Sequence, residues 1–280
     1  MAAHTLLREA GCESDLRQRG RTISSTGTAV RIARTLEKGL MILSLFDREH
    51  SSWTLTGISE ATGIPMPTAL RLARTLEKSR YLRHDARTRS YELGSAIYRA
   101  VSVTRSHSEL IRVARPHLES LTEFTTESTA LGVWEHGESL IIDMILTPRP
   151  FKPANLVGTT IPGLAGLYGQ IAVAFAPDSV LEAALALDHP QITAHTITDP
   201  AQLREEIERI RRERVAFGVE TVVIGICTVA APIFDSSGKV AACMAVVAPT
   251  ERFGPVQMRE HGAAVLREAT LVSRELGYTE

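Results

Sequence analysis

Apolar positions return at helical spacing between residues 29 and 49. Val30, Leu36, Leu40, Leu43 and Leu45, joined by Ile32, Met41 and Phe46, form one wide stripe. His50-Ser51-Ser52 ends it. Thr56 is placed to cap a short helix carrying Ile58, Ala61 and Thr62. Gly63-Ile64-Pro65 stops that helix. Pro67 falls near the first turn of the next, where a missing N–H costs nothing. That helix runs from Thr68, Ala69 and Leu70 to about Ser79. Two helices joined by three or four residues that include a glycine form a helix-turn-helix. "YLRHD", the basic turn "ARTRS" and "YEL", closed by Gly94, then read as strand, loop and strand. This is a wing. Residues 1–28 show no apolar period and read as a flexible tail.

Residues 95–107 read as a linking helix, and Leu110, Val113, Leu118, Leu121 and Phe124 as an amphipathic one that Pro116 is expected to kink. Beyond them the period turns mixed. "STALGVW" and "SLIIDMIL" are strand-like runs about the turn "EHGE", and "TPRPFKPANLVGTTIPG" is a loop with one extended piece. "LAGLYGQIAVAFA" is an apolar helix. "DPAQLREEIERIRRERV" is a capped, charged helix with expected pairs Glu205–Arg209 and Glu208–Arg212. "TVAAPIFDSSGKVAACMAVVAP" is a hairpin turning at 235–238, and Val265, Ala269, Val272 and Leu276 mark a final helix. The expected class is α+β: an N-terminal winged helix-turn-helix (29–94), a linker helix (95–107), and a C-terminal antiparallel sheet flanked by helices (108–280). "ARTLEK" occurs at 33–38 and 73–78 without a third copy, so it marks no repeat architecture.

The 280 residues, 44% apolar and 22% charged, suffice for two buried cores. No apolar run reaches membrane-spanning length, so no membrane partner is expected. The N-terminus lacks an apolar signal core, and a cytoplasmic setting is expected. The net charge of −1 conceals an asymmetry. Residues 1–107 hold 17 Lys/Arg and 10 Asp/Glu, whereas 108–280 hold 14 and 22. Between 66 and 89 stand seven basic residues and two acids. Positive charge thus gathers on the second helix and the wing, where DNA phosphates would lie.

These pieces, in this order and spacing, resemble the IclR family of bacterial transcriptional regulators. The resemblance is carried by "TGIPMPTALRLARTLEKSRYL", "YELG", "VARPHLESLTEFTTES", "GTTIPGLAGLYGQ", "ITDPAQLREEIERIRRERVAFGVE" and "GICTVAAPIFDSSGKVAA". It spans about residues 29–278. It implies a GAF-like effector-binding and oligomerisation domain, a homodimer or homotetramer, double-stranded operator DNA as partner, and control of small-molecule metabolism, as repressor or activator.

A recognition helix presents its N-terminal residues to base edges. Here these are Met66, Pro67, Thr68, Leu70 and Arg71, with Arg74 one turn on and Thr56 on the preceding helix. Arg71 has the fork to bind guanine bidentately. Arg87 and Arg89 on the wing fit phosphate or the minor groove. Pro67 stands where the family pattern favours a small hydroxyl residue.

The resemblance further implies an effector pocket, whose positions fall on Ile161, Leu167, Tyr168, Gly218, Ile226, Thr228, Ala245 and Val247. The family's aspartate falls on Gly218, its cysteine on Thr228, its two serines on Ala245 and Val247, and its turn histidine on Leu164. A small hydrated acid would find its charge poorly paired there. A larger, apolar or aromatic effector with one or two polar handles is expected. The alternatives are a pocket filled by its own side chains, with effector-independent DNA binding, and a small-molecule enzyme using the same cavity. No nucleophile elbow, P-loop, dinucleotide fingerprint or metal-binding histidine spacing supports an enzyme, a metal or a cofactor. Asp143 and Glu220 read as structural acids. Cys227 and Cys243 read as buried thiols, or as a redox pair if they lie within bonding distance.

Overall fold

The computed structural model describes residues 33–47, 50–107, 109–154 and 156–279. The tail, Val30 and Ile32 lie outside the described residues. The chain separates into two compact units after residue 108.

The N-terminal unit orders as α1 (Arg34–Leu43), β1 (Ser52–Thr54), α2 (Leu55–Thr62), α3 (Met66–Lys78), β2 (Leu82–Asp85), β3 (Ser90–Leu93) and α4 (Ser95–His107). Its core joins Ile42, Ile58, Ile64, Ala69, Leu72, Ala73, Leu82 and Tyr91. Three details differ from the sequence reading. Leu36 and Leu40, expected inside the stripe, are exposed, because α1 turns Gly39 and Ile42 inward instead. Thr56 does not cap α2. Thr54 does, its Oγ1 accepting the Gly57 N–H at 3.1 Å, because its backbone is extended whereas Thr56 is already helical. The third strand, β1, pairs with β3 and makes the wing sheet β1-β3-β2. Only three residues long, it carries no alternation that its sequence could display.

Gly63, in the left-handed region at φ +66°, ends α2, and Pro65 and Pro67 open α3. Gly94 closes the wing. A methyl group there would lie 2.2 Å from the Arg80 carbonyl oxygen, so only glycine lets β3 leave beside the end of α3.

The second unit orders as α5 (Glu109–Thr125), β4 (Ser128–Glu135), β5 (Glu138–Ile145), β6 (Thr160–Pro162), α6 (Leu167–Ala174), α7 (Asp178–Leu185), α8 (Pro200–Glu213), β7 (Ala216–Val219), β8 (Ile226–Phe234), β9 (Val240–Pro249) and α9 (Pro255–Glu275). Its six-stranded antiparallel sheet has the order β6-β5-β4-β9-β8-β7. Alternation along the strands separates two cores. Leu131, Val229, Ala231, Met244 and Val246 meet α5 and α9 on one face. Ala130, Ala216, Ala230, Cys243 and Ala245 meet α6, α7 and α8 on the other. The charged helix α8 begins as its sequence predicts, Asp199 accepting the Ala201 and Gln202 N–H groups at 3.0 and 2.9 Å.

Elsewhere the sequence reading needs amendment. α5 runs unbroken through Pro116. The short elements α7 and β7 carry no period of their own and went unseen. Arg209 pairs with Glu206 and Glu213 rather than Glu205, its guanidinium held over the Phe217 ring at 5.4 Å. Glu208 and Arg212 form no ion pair with each other among the described residues. Cys227 stands opposite Ala248 and Cys243 opposite Pro232. The two thiols lie in different cores, about 17 Å apart along the hairpin at ~3.4 Å per residue, so no disulfide joins them. Among the described residues no helix is long and apolar enough to cross a membrane.

Candidate DNA interface and effector layer

The outer face of α3 is set by its inner one. Ala69, Leu72 and Ala73 are buried, which turns Pro67, Leu70, Arg71, Arg74, Thr75 and Lys78 outward along one open groove. Met66, Pro67, Arg71 and Arg74 are exposed, and Thr68 and Leu70 half-buried. The Thr68 N–H donates to the Pro65 carbonyl at 2.8 Å, which fixes the first turn. No acid lies in that turn.

The wing turn is equally fixed. The Arg87 N–H donates to Asp85 Oδ1 at 2.8 Å, Thr88 and Ser90 share a hydroxyl hydrogen bond of 2.7 Å, and Arg89 takes φ +54° to re-enter β3. The bonded N–H groups hold the Asp85 carboxyl below its usual range. Arg87 and Arg89 are exposed at the tip. Among the described residues Arg71, Arg74, Arg87 and Arg89 have no carboxylate partner, whereas Arg83 is spent on Glu92. Four exposed cations on rigid backbone, free of internal partners, form an anion-attracting surface. Thr56 is exposed on α2, in the same unit.

The effector-layer residues come together on the second face of the sheet. Gly218, Thr228 and Val247 are directly paired neighbours across β7, β8 and β9. Ala216, Ala230, Ala245 and Ala130 form the adjacent row. Small side chains there let the α6 backbone approach closely. Leu167 drops onto Gly218, where a methyl group would lie 3.2 Å from its Cδ2 and 2.8 Å from Thr221 Oγ1. The space beside Gly218 is thus taken by a leucine side chain. Ile161 packs on Gly166, just before α6, and Ile226 is half-buried at the start of β8. Leu167, Tyr168, Ala245 and Val247 are all buried.

Tyr168 points elsewhere, toward β4. Its ring abuts Gly132, and Trp134 abuts Gly169. Burial drives the Tyr168 phenol and the Cys243 thiol far above their usual pKa values. Gly132, Trp134, Ser139 and Gln170 belong to this layer and were missed. The glycines at 132 and 169 are the only mark they leave in the sequence.

The two remaining acids are structural. Asp143 accepts from Arg115 Nη1 at 2.8 Å and from the Met144 N–H at 2.9 Å. Glu220 Oε1 accepts from the Gly225 N–H at 3.1 Å and from the Thr250 hydroxyl at 3.2 Å. No group of three or more His, Cys, Asp or Glu among the described residues could hold a metal ion.

A winged helix-turn-helix joined to a curled antiparallel sheet with helices on both faces defines a DNA-binding regulator with a sensory domain. Two family models match the chain. The IclR helix-turn-helix domain covers residues 35–86, and the bacterial transcriptional regulator IclR C-terminal domain covers residues 102–274. The chain is 30% identical over 246 residues to the transcriptional regulator BhcR of Paracoccus denitrificans, covering 88% of this chain and 86% of that one. It is 22% identical over 265 residues to the transcriptional repressor AllR of Salmonella typhi, covering 94% and 97%. An IclR homologue of Microbacterium hydrocarbonoxydans, solved in complex with 4-hydroxybenzoate, shares the fold with a TM-score of 0.76 at 23% identity, covering 86% and 98%. The protein belongs to the IclR family of bacterial transcriptional regulators.

Proposed function

We propose that the protein is a cytoplasmic, non-enzymatic, homo-oligomeric regulator. Its α3 enters the major groove of double-stranded operator DNA, and its second unit senses a small apolar or aromatic molecule. The carrying observation is the face of α3 that joins Pro67, Arg71 and Arg74, with Thr68 half-buried at its start, beside a wing presenting Arg87 and Arg89, all four arginines without a carboxylate partner among the described residues. Met66, Pro67 and Leu70 shape that face, and Thr56 offers a hydroxyl from α2. One such unit reads too few base pairs for useful specificity, so two copies on two half-sites are required. The working boundaries are 29–94 for DNA binding, 95–107 for the linker and 108–280 for effector binding and assembly.

The effector site is assigned to the layer of Ile161, Leu167, Tyr168, Gly218, Ile226, Thr228, Ala245 and Val247. Thr228 and Tyr168 are its polar side chains, and a small charged acid would go unpaired among the rest. The Microbacterium homologue was solved with 4-hydroxybenzoate, an aromatic carboxylate; its ring is of the proposed class, and its charge is the part for which this layer offers no cationic side chain. Repression, the role named for AllR, is the proposed direction of control.

Footprinting and gel shifts of the DNA flanking this protein's own coding region, with and without aromatic metabolites, test the reading. No shift at low salt would overturn it. A second reading, effector-independent binding, is favoured by the burial of Leu167, Tyr168, Ala245 and Val247. A thermal-shift panel separates the two: stabilisation by aromatic compounds supports the first, and no response to any compound supports the second.

A further inference from the structure

The start of α3 is short of polar groups. A helix start leaves about four backbone amides without a helical partner. Here two of the four positions are prolines, Pro65 and Pro67, which have no N–H. The Thr68 N–H donates back to the Pro65 carbonyl at 2.8 Å, which leaves that of Met66. This turn therefore lacks the row of free amides with which a helix start cradles a phosphate. Its outward side chains are apolar as well. Met66 is 38% exposed, Pro67 is exposed and Leu70 is half-buried.

The rest of the groove narrows what this helix can read. Adenine is recognised through its N6 and N7 by a side-chain amide, and the cytosine amino group by a carboxylate. α3 contains no asparagine or glutamine. Its one acid, Glu77, stands in the last turn, half-buried and outside the groove that Pro67, Leu70, Arg71 and Arg74 line. The Thr75 hydroxyl donates to the Arg71 carbonyl at 2.8 Å, so its proton is already taken. Two base signatures remain for this face. The arginine forks match the O6 and N7 of guanine, and an apolar surface matches the 5-methyl group of thymine. Pro67 precedes Arg71 by four residues, about 6 Å along the helix axis. Successive base pairs lie about 3.4 Å apart, so the two readings fall one or two base pairs from each other.

We propose that the first turn of α3 reads thymine by its 5-methyl group: Met66, Pro67 and Leu70 form an apolar patch that packs on one such methyl in each half-site, one or two base pairs from the guanine that Arg71 takes. This rests on the DNA-binding reading above and gives it a specificity at the level of single atoms. Burying one methyl is worth about a fourfold gain in affinity. Two half-sites bound together raise that to about fifteenfold, enough to favour an operator over the same sequence without the methyls.

The probe is the footprinted operator duplex with each thymine replaced in turn by uracil, which removes the methyl and leaves the base pair intact. Binding to the full-length protein is read by fluorescence anisotropy. Replacing one thymine in each half-site is expected to weaken the wild type about fourfold per half-site. That thymine should lie within two base pairs of the guanine whose replacement by 7-deazaguanine weakens the wild type but not Arg71→Ala. In Leu70→Ala or Pro67→Ala the uracil penalty should shrink to less than half, because the methyl has lost its partner. Should Leu70→Ala not fold, Pro67→Ala, at an exposed position, decides alone. An operator with no uracil-sensitive thymine near that guanine would overturn the proposal. So would a penalty undiminished in every folded variant, which would assign the methyl's effect to DNA shape. Either result, on a protein that still footprints its operator, sinks only the methyl reading. A protein that leaves no footprint at low salt sinks the regulator assignment itself.

Discussion

His117 Nδ1 lies 2.9 Å from Glu268 Oε2 and so ties α5 to α9 across the outer layer of the second unit. Its other ring nitrogen lies 3.0 Å from Glu275 Oε1, and Arg267 reaches the far oxygen of Glu268 at 3.3 Å. Burial works to lower the imidazole pKa, but the two carboxylates outweigh it and hold the value above the usual histidine range. A pKa raised on folding adds stability that is fully present below the unfolded value, about 6.5. That stability is lost as pH rises through the folded value. His117→Gln is therefore expected to cost about 1–3 kcal/mol near pH 5.5, the worth of hydrogen bonds to charged groups. The deficit should shrink steadily as the pH rises above neutrality. Urea unfolding of both proteins across pH 5–9 measures it, and a deficit that grows with pH would contradict the assignment.

Arg71 and Arg87 are expected to fail in different ways. Arg71→Ala removes a base contact and should weaken the cognate site by about 1–3 kcal/mol while relaxing preference at one base pair. Arg87→Ala removes a phosphate contact, so specific and non-specific DNA should weaken alike and the salt dependence of binding should fall by about one ion. Fluorescence anisotropy on operator and scrambled duplexes at several salt concentrations reads both. Identical salt slopes for wild type and Arg87→Ala would remove the wing from the interface.

Thr54 and Thr56 make a controlled pair within one helix. Thr54→Ala loses the hydrogen bond to the Gly57 N–H and should cost about 1 kcal/mol. Thr56→Ala, at an exposed position inside α2, should change stability by less than about half of that. Reversed effects in denaturant unfolding would place the helix start at the wrong residue.

Gly218→Asp is expected to destabilise by about 1–3 kcal/mol through crowding against Leu167 and Thr221. Combining it with Leu167→Ala should cost less than the sum of the two single changes, because the second makes room for the first. Additive costs in a double-mutant cycle would show that the two side chains do not compete.

Much of the first unit was legible because its elements are long and locally encoded. The α3 stripe, Gly63, Pro67 and the basic turn at 86–89 each signal their role within a few residues. The effector layer was only partly legible. Family spacing led to Leu167, Gly218, Thr228, Ala245 and Val247, and they do lie on one layer. Ser139 and Gln170 were invisible, since a buried serine or glutamine looks like any polar residue in a strand or helix. Thr56 was mistaken for the cap because two threonines stand within one turn and only backbone geometry separates them.

The amino-acid order alone determined that this chain has a basic reader and an acidic partner domain, because charge distribution, helix period and turn residues are local properties. Which of two threonines caps a helix was settled by backbone geometry, whereas the Phe217 ring beneath Arg209, the separation of the two thiols and the place where the Tyr168 ring comes to rest depended on segments far apart in the chain lying side by side. Such contacts are decided by packing, where a missing Cβ at Gly132 or Gly218 admits a side chain from a distant helix, and no local pattern records them.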